Sequence, residues 1–127
     1  MSPSACARAA SNGWNSTADA EGLAGAWLFP TLGVLYEEPL EKDVEALCTT
    51  FAAFNRWLDE DWGLTDRDRI FTSPYITLAD VDWACAQLDW ALEHDARALV
   101  MRPSAVFTRN GPRIRATQTS TLLGPGE

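Results

Sequence analysis

The sequence predicts an α/β fold, a parallel βαβαβ unit over residues 21–104, with a disordered arm at 1–20 and a disordered tail at 105–127. The first observation is an alternation of strand-like and helix-like segments with short links, which fits parallel strands because each crossover needs a helix. The second is that 127 residues, 46% of them hydrophobic, suffice for one small core. The third is that both ends lack apolar periodicity, which predicts that they remain disordered.

The first strand and helix occupy residues 26–62. The compact apolar run at 26–29 is closed by Pro30, as expected for a short buried parallel strand. Asp43 is a suitable N-cap, and Gly63 ends the helical pattern. Between them, apolar residues recur at intervals of three and four: Val44, Leu47, Cys48, Phe51, Phe54 and Leu58. This spacing predicts an amphipathic helix that ends near Trp62.

The second strand, the second helix and the third strand follow in residues 70–101. Residues 70–76 are rich in β-branched and aromatic side chains, although Pro74 indicates that the strand ends or bulges there. Asp80 is expected to cap the next helix. That helix carries an aliphatic stripe: Val81, Ala84, Cys85, Leu88, Ala91 and Leu92. The run at 98–101 then predicts the third parallel strand.

Charge and cysteine content narrow the possible partners and location. Ten basic against eighteen acidic residues give a formal charge of -8, which repels phosphate backbones and anionic lipids. We therefore expect neither a nucleic-acid nor a membrane partner. The three cysteines are odd in number and widely spaced, as is typical of free thiols. No apolar run has the length of a signal peptide or of a membrane-spanning helix. The expected location is the cytoplasm.

Substrate-binding residues are expected at the carboxyl ends of the strands, where parallel α/β folds place their functional groups. The candidates there are Thr31, Tyr75 and Arg102. Arg102 suits a substrate carboxylate, and an ion pair with a neighbouring loop acid is an equally good interpretation. None of these positions pairs a nucleophile with a base, so the sequence predicts no catalytic residue.

No metal site is predicted either. A hydrolytic zinc site needs about three protein ligands, and His94 is the single histidine. Residues 59–61 are successive carboxylates that point in different directions along a helix, so they cannot converge on one ion. His94 instead shares a helix face with Trp83 and Trp90, roughly opposite the aliphatic stripe. We expect this face to pack against a neighbouring helix or subunit, with ligand binding as the alternative.

These residues together resemble the amidohydrolase-related family, barrel hydrolases and decarboxylases that include aminocarboxymuconate semialdehyde decarboxylase. The resemblance spans roughly residues 22–112, which would correspond to barrel strands two to four. Its marks are WLFPTLG at 27–33, NRWL at 55–58, RIF at 69–71, Asp80, LDWALE at 88–93 and ARALV at 96–100. The resemblance implies that the βαβαβ unit is part of a (β/α)₈ barrel, which as a whole needs roughly 200 residues or more.

The family's chemistry depends on a divalent metal such as zinc. The resemblance implies metal ligands in a His-x-His pair after strand one, histidines after strands five and six, and an aspartate after strand eight. None of these has a counterpart in this sequence, so the chain is expected to carry no cofactor. The leading hypothesis is a truncated barrel fragment without independent activity, whose tail at 113–127 resembles out-of-frame translation.

The alternative hypothesis is a small interaction module. Three parallel strands leave two unpaired edges, which favour self-association or pairing with a complementing barrel fragment. The Trp83/Trp90/His94 face is the other candidate contact surface. We also expect marginal stability, because strands of this kind are normally covered on both faces.

Overall fold

A computed structural model describes residues 3–31, 33–103, 106–108 and 111–114. The elements in chain order are α1 (Pro3–Ala20), β1 (Ala26–Leu28), α2 (Gly33–Tyr36), α3 (Val44–Trp62), β2 (Thr65–Asp66), β3 (Ile70–Thr72), α4 (Val81–Glu93), β4 (Val106–Thr108) and β5 (Gly111–Ile114). The predicted mixed α/β class is confirmed. Among the described residues, no helix combines the length and the apolar character needed to cross a membrane.

Strands β1 and β3 form the parallel pair that the sequence predicts. Ala26 lies opposite Ile70 and Leu28 lies opposite Thr72. Strand β2 was not predicted: it pairs antiparallel with β3 on the other side of the sheet. The chain returns from β2 to β3 through Arg67 and Asp68, whose φ angles of 52° and 51° make a tight reversal. The charged loop at 65–69 therefore contributes to the sheet.

The predicted third strand at 98–101 is wrong as a strand. Only an isolated parallel bridge joins Tyr75 to Val100. The Val100 N–H donates to the Pro74 oxygen at 2.9 Å, and the Ile76 N–H donates to the Val100 oxygen at 2.9 Å. Proline has no N–H, so the ladder cannot continue through position 74. The βαβαβ unit is thus reduced to two parallel strands and one bridge.

Both predicted amphipathic helices are confirmed with their caps. The Asp43 side chain accepts from the Ala46 N–H at 3.0 Å, and Gly63 follows α3 with a φ of 75°. The Asp80 side chain accepts from the Trp83 N–H at 3.1 Å at the start of α4. Each carboxylate satisfies one of the free N–H groups of the first helical turn, which is why these boundaries could be read locally.

The expected disorder of residues 1–20 is wrong, because Pro3–Ala20 forms helix α1. Ser11, Asn15 and Ala18 are buried at a spacing of four and three residues, and α1 contacts α3. The small side chains of Ser11 and Ala18 permit a close approach between helices without a conspicuous apolar stripe. Helix α1 is also tied to the β2–β3 turn: Asn15 donates to Asp66 at 3.0 Å, and Arg69 forms an ion pair with Asp19 at 2.5 Å.

The expected tail of 105–127 contains a hairpin in its first part. Strands β4 and β5 pair antiparallel, with Val106 opposite Ile114 and Thr108 opposite Gly111. The prediction of disorder is therefore wrong over these two strands. Residues 115–127, which complete the predicted tail, lie outside the described residues.

The core lies between α3 and the segment that follows β3. Leu47, Phe51, Tyr75 and Ala79 form its buried centre. The Phe51 and Tyr75 rings pack at a centroid distance of 4.4 Å. Trp83 packs against this cluster from α4. The core therefore joins both long helices to the carboxyl end of β3.

Helix α4 is rotated from the orientation that its aliphatic stripe predicts, so that only the edge of the stripe with the two alanines faces the core. Ala84 and Ala91 are its buried residues, whereas Val81, Leu88 and Leu92 are 53%, 39% and 62% exposed. The small alanines let the helix approach the core closely, and the larger aliphatic side chains turn outward. The face with Trp83 is therefore partly covered within the chain, and the exposed surface of α4 is largely aliphatic.

Candidate functional site

The carboxyl end of β3 carries a buried cluster of polar side chains. The Tyr75 hydroxyl donates to one oxygen of the Glu37 carboxyl group at 2.6 Å, and the Thr77 hydroxyl donates to the other at 2.5 Å. All three residues are at most 2% exposed. The Thr77 oxygen also accepts from the Ala79 N–H at 3.2 Å. Both oxygens of the buried carboxyl group thus have a partner, which offsets the cost of removing it from water.

The surroundings of Tyr75 keep its hydroxyl protonated. Burial in the core raises the pKa of Tyr75 well above its ordinary value, and the hydrogen bond to Glu37 and its charge raise that pKa further. The positive charge of Arg102 and a hydrogen bond from its main chain act in the opposite direction. The phenol is therefore a hydrogen-bond donor at neutral pH and unsuited to act as a general base.

The side chain of Asn55 bonds the main-chain groups of Tyr75 that no strand pairs with. Its side-chain amide donates to the Tyr75 carbonyl oxygen at 2.9 Å, and its side-chain oxygen accepts from the Tyr75 N–H at 2.8 Å. The amide also donates to Gln87 on α4 at 3.1 Å. Asn55 is 1% exposed. This side chain therefore connects α3, the strand end and α4 where Pro74 interrupts the ladder.

Arg102 and Tyr75, two of the predicted substrate-binding residues, are brought together by the fold. The Arg102 guanidinium lies 3.9 Å from the exposed Glu38 carboxylate. An ion pair with a loop acid is the alternative to substrate binding that the sequence offered for Arg102. The long distance and the exposure of Glu38 make this ion pair weak. The binding of a substrate carboxylate by Arg102 stays a prediction. The full burial of Tyr75 removes that side chain from contact with solvent.

Thr31, the third predicted residue, is exposed and donates to the Phe29 carbonyl oxygen at 3.4 Å. It lies at the edge of an apolar cleft of about 310 Å³ between the end of β1 and helix α3. The lining is dominated by aromatic and aliphatic side chains: Leu28, Phe29, Pro30, Phe54, Trp57, Leu58 and Trp62. Its volume is at the lower end of the range for small-molecule sites, and Thr31 is its main polar lining group.

His94 lies at the end of α4 in a setting that does not fit a metal ligand set. Its Nδ1 is 2.7 Å from the Trp90 carbonyl oxygen, and its Nε2 is 3.8 Å from an Asp59 carboxylate oxygen. The Trp90 and His94 rings pack at a centroid distance of 4.5 Å. One imidazole and one carboxylate fall short of the three protein ligands of a hydrolytic zinc site. Within the described ranges, no three His, Cys, Asp or Glu residues lie close enough to hold an ion.

The predicted interaction face of Trp83, Trp90 and His94 therefore turns toward α3. Trp83 is half-buried against the core, and His94 approaches Asp59 on α3. Trp90 is also half-buried. These contacts within the chain use part of the surface, while its binding of another molecule stays a prediction.

Sequence reasoning missed Glu37 and Asn55. Both are polar residues in positions that periodicity assigns to a loop or to the side of a helix. The available signal was Pro74, because a proline near a strand end leaves neighbouring main-chain groups that need other partners. The identity of those partners depends on contacts across 20 and 38 residues of sequence, which local patterns do not contain.

No protein-family model matches the chain, and no curated protein sequence matches it. Among solved structures, it is similar to the amidohydrolase map2389c from Mycobacterium avium subsp. paratuberculosis K-10, with 36% sequence identity and a TM-score of 0.75. The match covers 80% of this chain and 27% of that chain. The chain thus spans about a quarter of the length of the amidohydrolase that it matches. Over most of its own length, it is similar in sequence and fold to part of an amidohydrolase.

Proposed function

We propose that this chain is a segment of an amidohydrolase-like hydrolase or decarboxylase and has no catalytic activity alone. The observation that carries the proposal is the match to the amidohydrolase map2389c. The two chains are 36% identical, and the match covers 80% of this chain and 27% of the amidohydrolase. The segment would supply two parallel strands and their helices to a (β/α)₈ barrel whose remaining strands and ligands come from other sequence. Reaction centres of such barrels use loops after several different strands, so a quarter of the fold is not expected to complete one.

The metal of the parent family is expected to bind outside this segment. His94 is held by the Trp90 carbonyl and faces Asp59, and it would need two further ligands to hold a catalytic zinc ion. Three cysteines, odd in number and widely spaced in the sequence, fit the reducing cytoplasm, which we propose as the location of the chain.

Metal binding and turnover test this proposal. The purified 127-residue chain is dialysed against Zn²⁺, its metal content is measured, and ester, amide and aromatic-carboxylate substrates are assayed. The His94→Ala variant is the matched control for adventitious binding through the single histidine. We expect less than stoichiometric zinc and no turnover in both proteins. One zinc per chain together with turnover that His94→Ala abolishes would overturn the proposal.

A second candidate function is an interaction module that pairs through its sheet edge. Within the described part of the chain, β1 pairs only with β3, which leaves the other edge of β1 available. Phe29, which directly follows β1, is 64% exposed, whereas Trp27 stacks on Phe71 of β3 and donates to Ser73. An open edge with apolar neighbours favours pairing with a second copy or with a complementing barrel fragment. Sedimentation distinguishes the two functions: a defined oligomer that Phe29→Asp disperses supports the module, and a monomer opposes it.

A further inference from the structure

Helix α4 presents an unpartnered aliphatic surface, which we call the α4 stripe: Val81, Cys85, Leu88 and Leu92. These residues follow one another at intervals of four, three and four, so they form a single row along the helix. Leu92 is 62% exposed, Val81 is 53% exposed and Leu88 is 39% exposed. A row of this spacing is the type of surface that a second helix covers by interdigitating its own apolar side chains.

A row of acids runs beside the α4 stripe. Asp82, Asp89 and Glu93 are exposed and lie on the same side of the helix, about 90° around its axis from the stripe. The sequence of α4 contains no Lys or Arg. The stripe is therefore bordered by negative charge that no cation of this helix balances.

The end of α4 adds to the negative charge on this side of the helix. The carbonyl groups of the last turn carry partial negative charge, and basic side chains there stabilise a helix. Helix α4 has no basic residue in its last turn and instead ends with Glu93. A cation brought by a partner near Glu93 would relieve this unfavourable arrangement.

We propose that the α4 stripe and its acidic row form a docking surface for an amphipathic helix that carries Lys or Arg along one side of its apolar face. The partner's apolar side chains would cover the stripe, and its cations would face Asp82, Asp89 and Glu93. A second copy that paired through its own α4 is a poor occupant, because that helix would bring another acidic row and no cation. This surface is distinct from the open edge of β1 and does not depend on the proposed function.

A synthetic helix tests the proposal. The probe is an amphipathic peptide of Leu and Lys with the 13-residue length of α4, and the comparison peptide replaces every Lys by Glu. Binding to the full chain is measured by fluorescence anisotropy at low and moderate salt. We expect the Lys peptide to bind at least tenfold more tightly than the Glu peptide, with affinity that falls as salt rises. Equal binding of the two peptides, or no binding of either, would overturn the proposal.

Two sets of variants separate docking from general attraction to an acidic protein. Leu88→Asp with Leu92→Asp adds negative charge, so nonspecific attraction would increase, whereas docking on the stripe should weaken at least tenfold. Leu23→Asp with Leu35→Asp is the matched control at exposed leucines outside α4, and it should bind as the unmodified chain does. Because the four leucines are exposed, circular dichroism should show that both variants fold.

The acidic row is tested by the triple variant Asp82→Asn, Asp89→Asn and Glu93→Gln. It should lose most of the preference for the Lys peptide and most of the salt dependence while retaining weak binding through the stripe. Sedimentation of the unmodified chain provides the last check. A dimer that Leu88→Asp with Leu92→Asp dissociates would identify a second copy as the occupant and overturn the assignment to a basic helix.

Discussion

Replacing Asn55 by Ala should be among the most destabilising single substitutions in α3. The side chain is buried and satisfies both main-chain groups of Tyr75, with distances of 2.9 Å to the carbonyl oxygen and 2.8 Å to the N–H. Alanine leaves both groups buried without a partner. Each orphaned buried group costs about 1–3 kcal/mol, so the free energy of unfolding should fall by about 2–6 kcal/mol.

Two other substitutions set the scale of that effect. Gln87→Ala removes only the third hydrogen bond of Asn55, which joins its amide to the Gln87 oxygen at 3.1 Å. A single hydrogen bond contributes about 0.5–1.5 kcal/mol. Asn12→Ala removes an exposed asparagine from the interior of α1, where it accepts from Arg67 at 2.8 Å. Both Asn→Ala changes share the same helix-propensity gain, which makes the two variants comparable. Because Asn12 is exposed, Asn12→Ala should change the free energy of unfolding by no more than about 0.5 kcal/mol.

Urea unfolding followed by circular dichroism and tryptophan fluorescence measures all three variants. The expected order of destabilisation is Asn55→Ala, then Gln87→Ala, then Asn12→Ala. If Asn55→Ala is unfolded without urea, the order still holds as long as the other two variants fold. An Asn55→Ala protein within about 0.5 kcal/mol of the unmodified chain would show that water or a rearranged main chain replaces the side chain, which contradicts the reasoning.

Two further predictions concern close packing and pH. Gly25→Ala should destabilise the chain by about 1–3 kcal/mol, because the new Cβ would lie 2.8 Å from the Arg69 carbonyl oxygen. Gly13→Ala should instead stabilise α1 by about 0.5–1 kcal/mol, because nothing lies within 4 Å of its new Cβ. Thermal unfolding of the two variants compares these effects. The pKa of Tyr75 is raised in the folded state, so the contribution of this hydroxyl to stability should be complete below about pH 10. Above that pH the free energy of unfolding should fall by about 1.4 kcal/mol per pH unit. Urea unfolding at alkaline pH should show this fall in the unmodified chain and not in Tyr75→Phe.

Signals that act over one helical turn could be predicted from the sequence. Asp43 and Asp80 begin their helices because a carboxylate satisfies a free N–H three residues later, and Gly63 ends α3 with a positive φ. These interactions are local, so the residue type and its position carry the information. The parallel pairing of β1 and β3 followed from the length of the helix between them.

Features that depend on a distant partner could not be predicted in this way. Helix α4 has two apolar faces, and its aliphatic stripe gave the stronger periodic signal. The structure buries only Ala84 and Ala91, at one edge of that stripe, because small side chains permit the close approach that Gln87 and Trp83 need for their contacts with α3 and the core. Helix α1 escaped prediction for a related reason, since its buried positions include Ser11 and Ala18 rather than large apolar residues.

The strand ends are tied by side chains rather than by more strands. Where Pro74 stops the ladder, Asn55 bonds the main chain of Tyr75, and the hydroxyls of Tyr75 and Thr77 hold the carboxyl group of Glu37. These buried bonds, with the single bridge to Val100, fix the carboxyl end of β3. The dependence of this segment on other polypeptides should therefore lie at its flanks, where β1 has an open edge and α4 presents its stripe. Substitutions at the strand end should change the stability of the isolated chain, whereas substitutions on the flanks should change association alone.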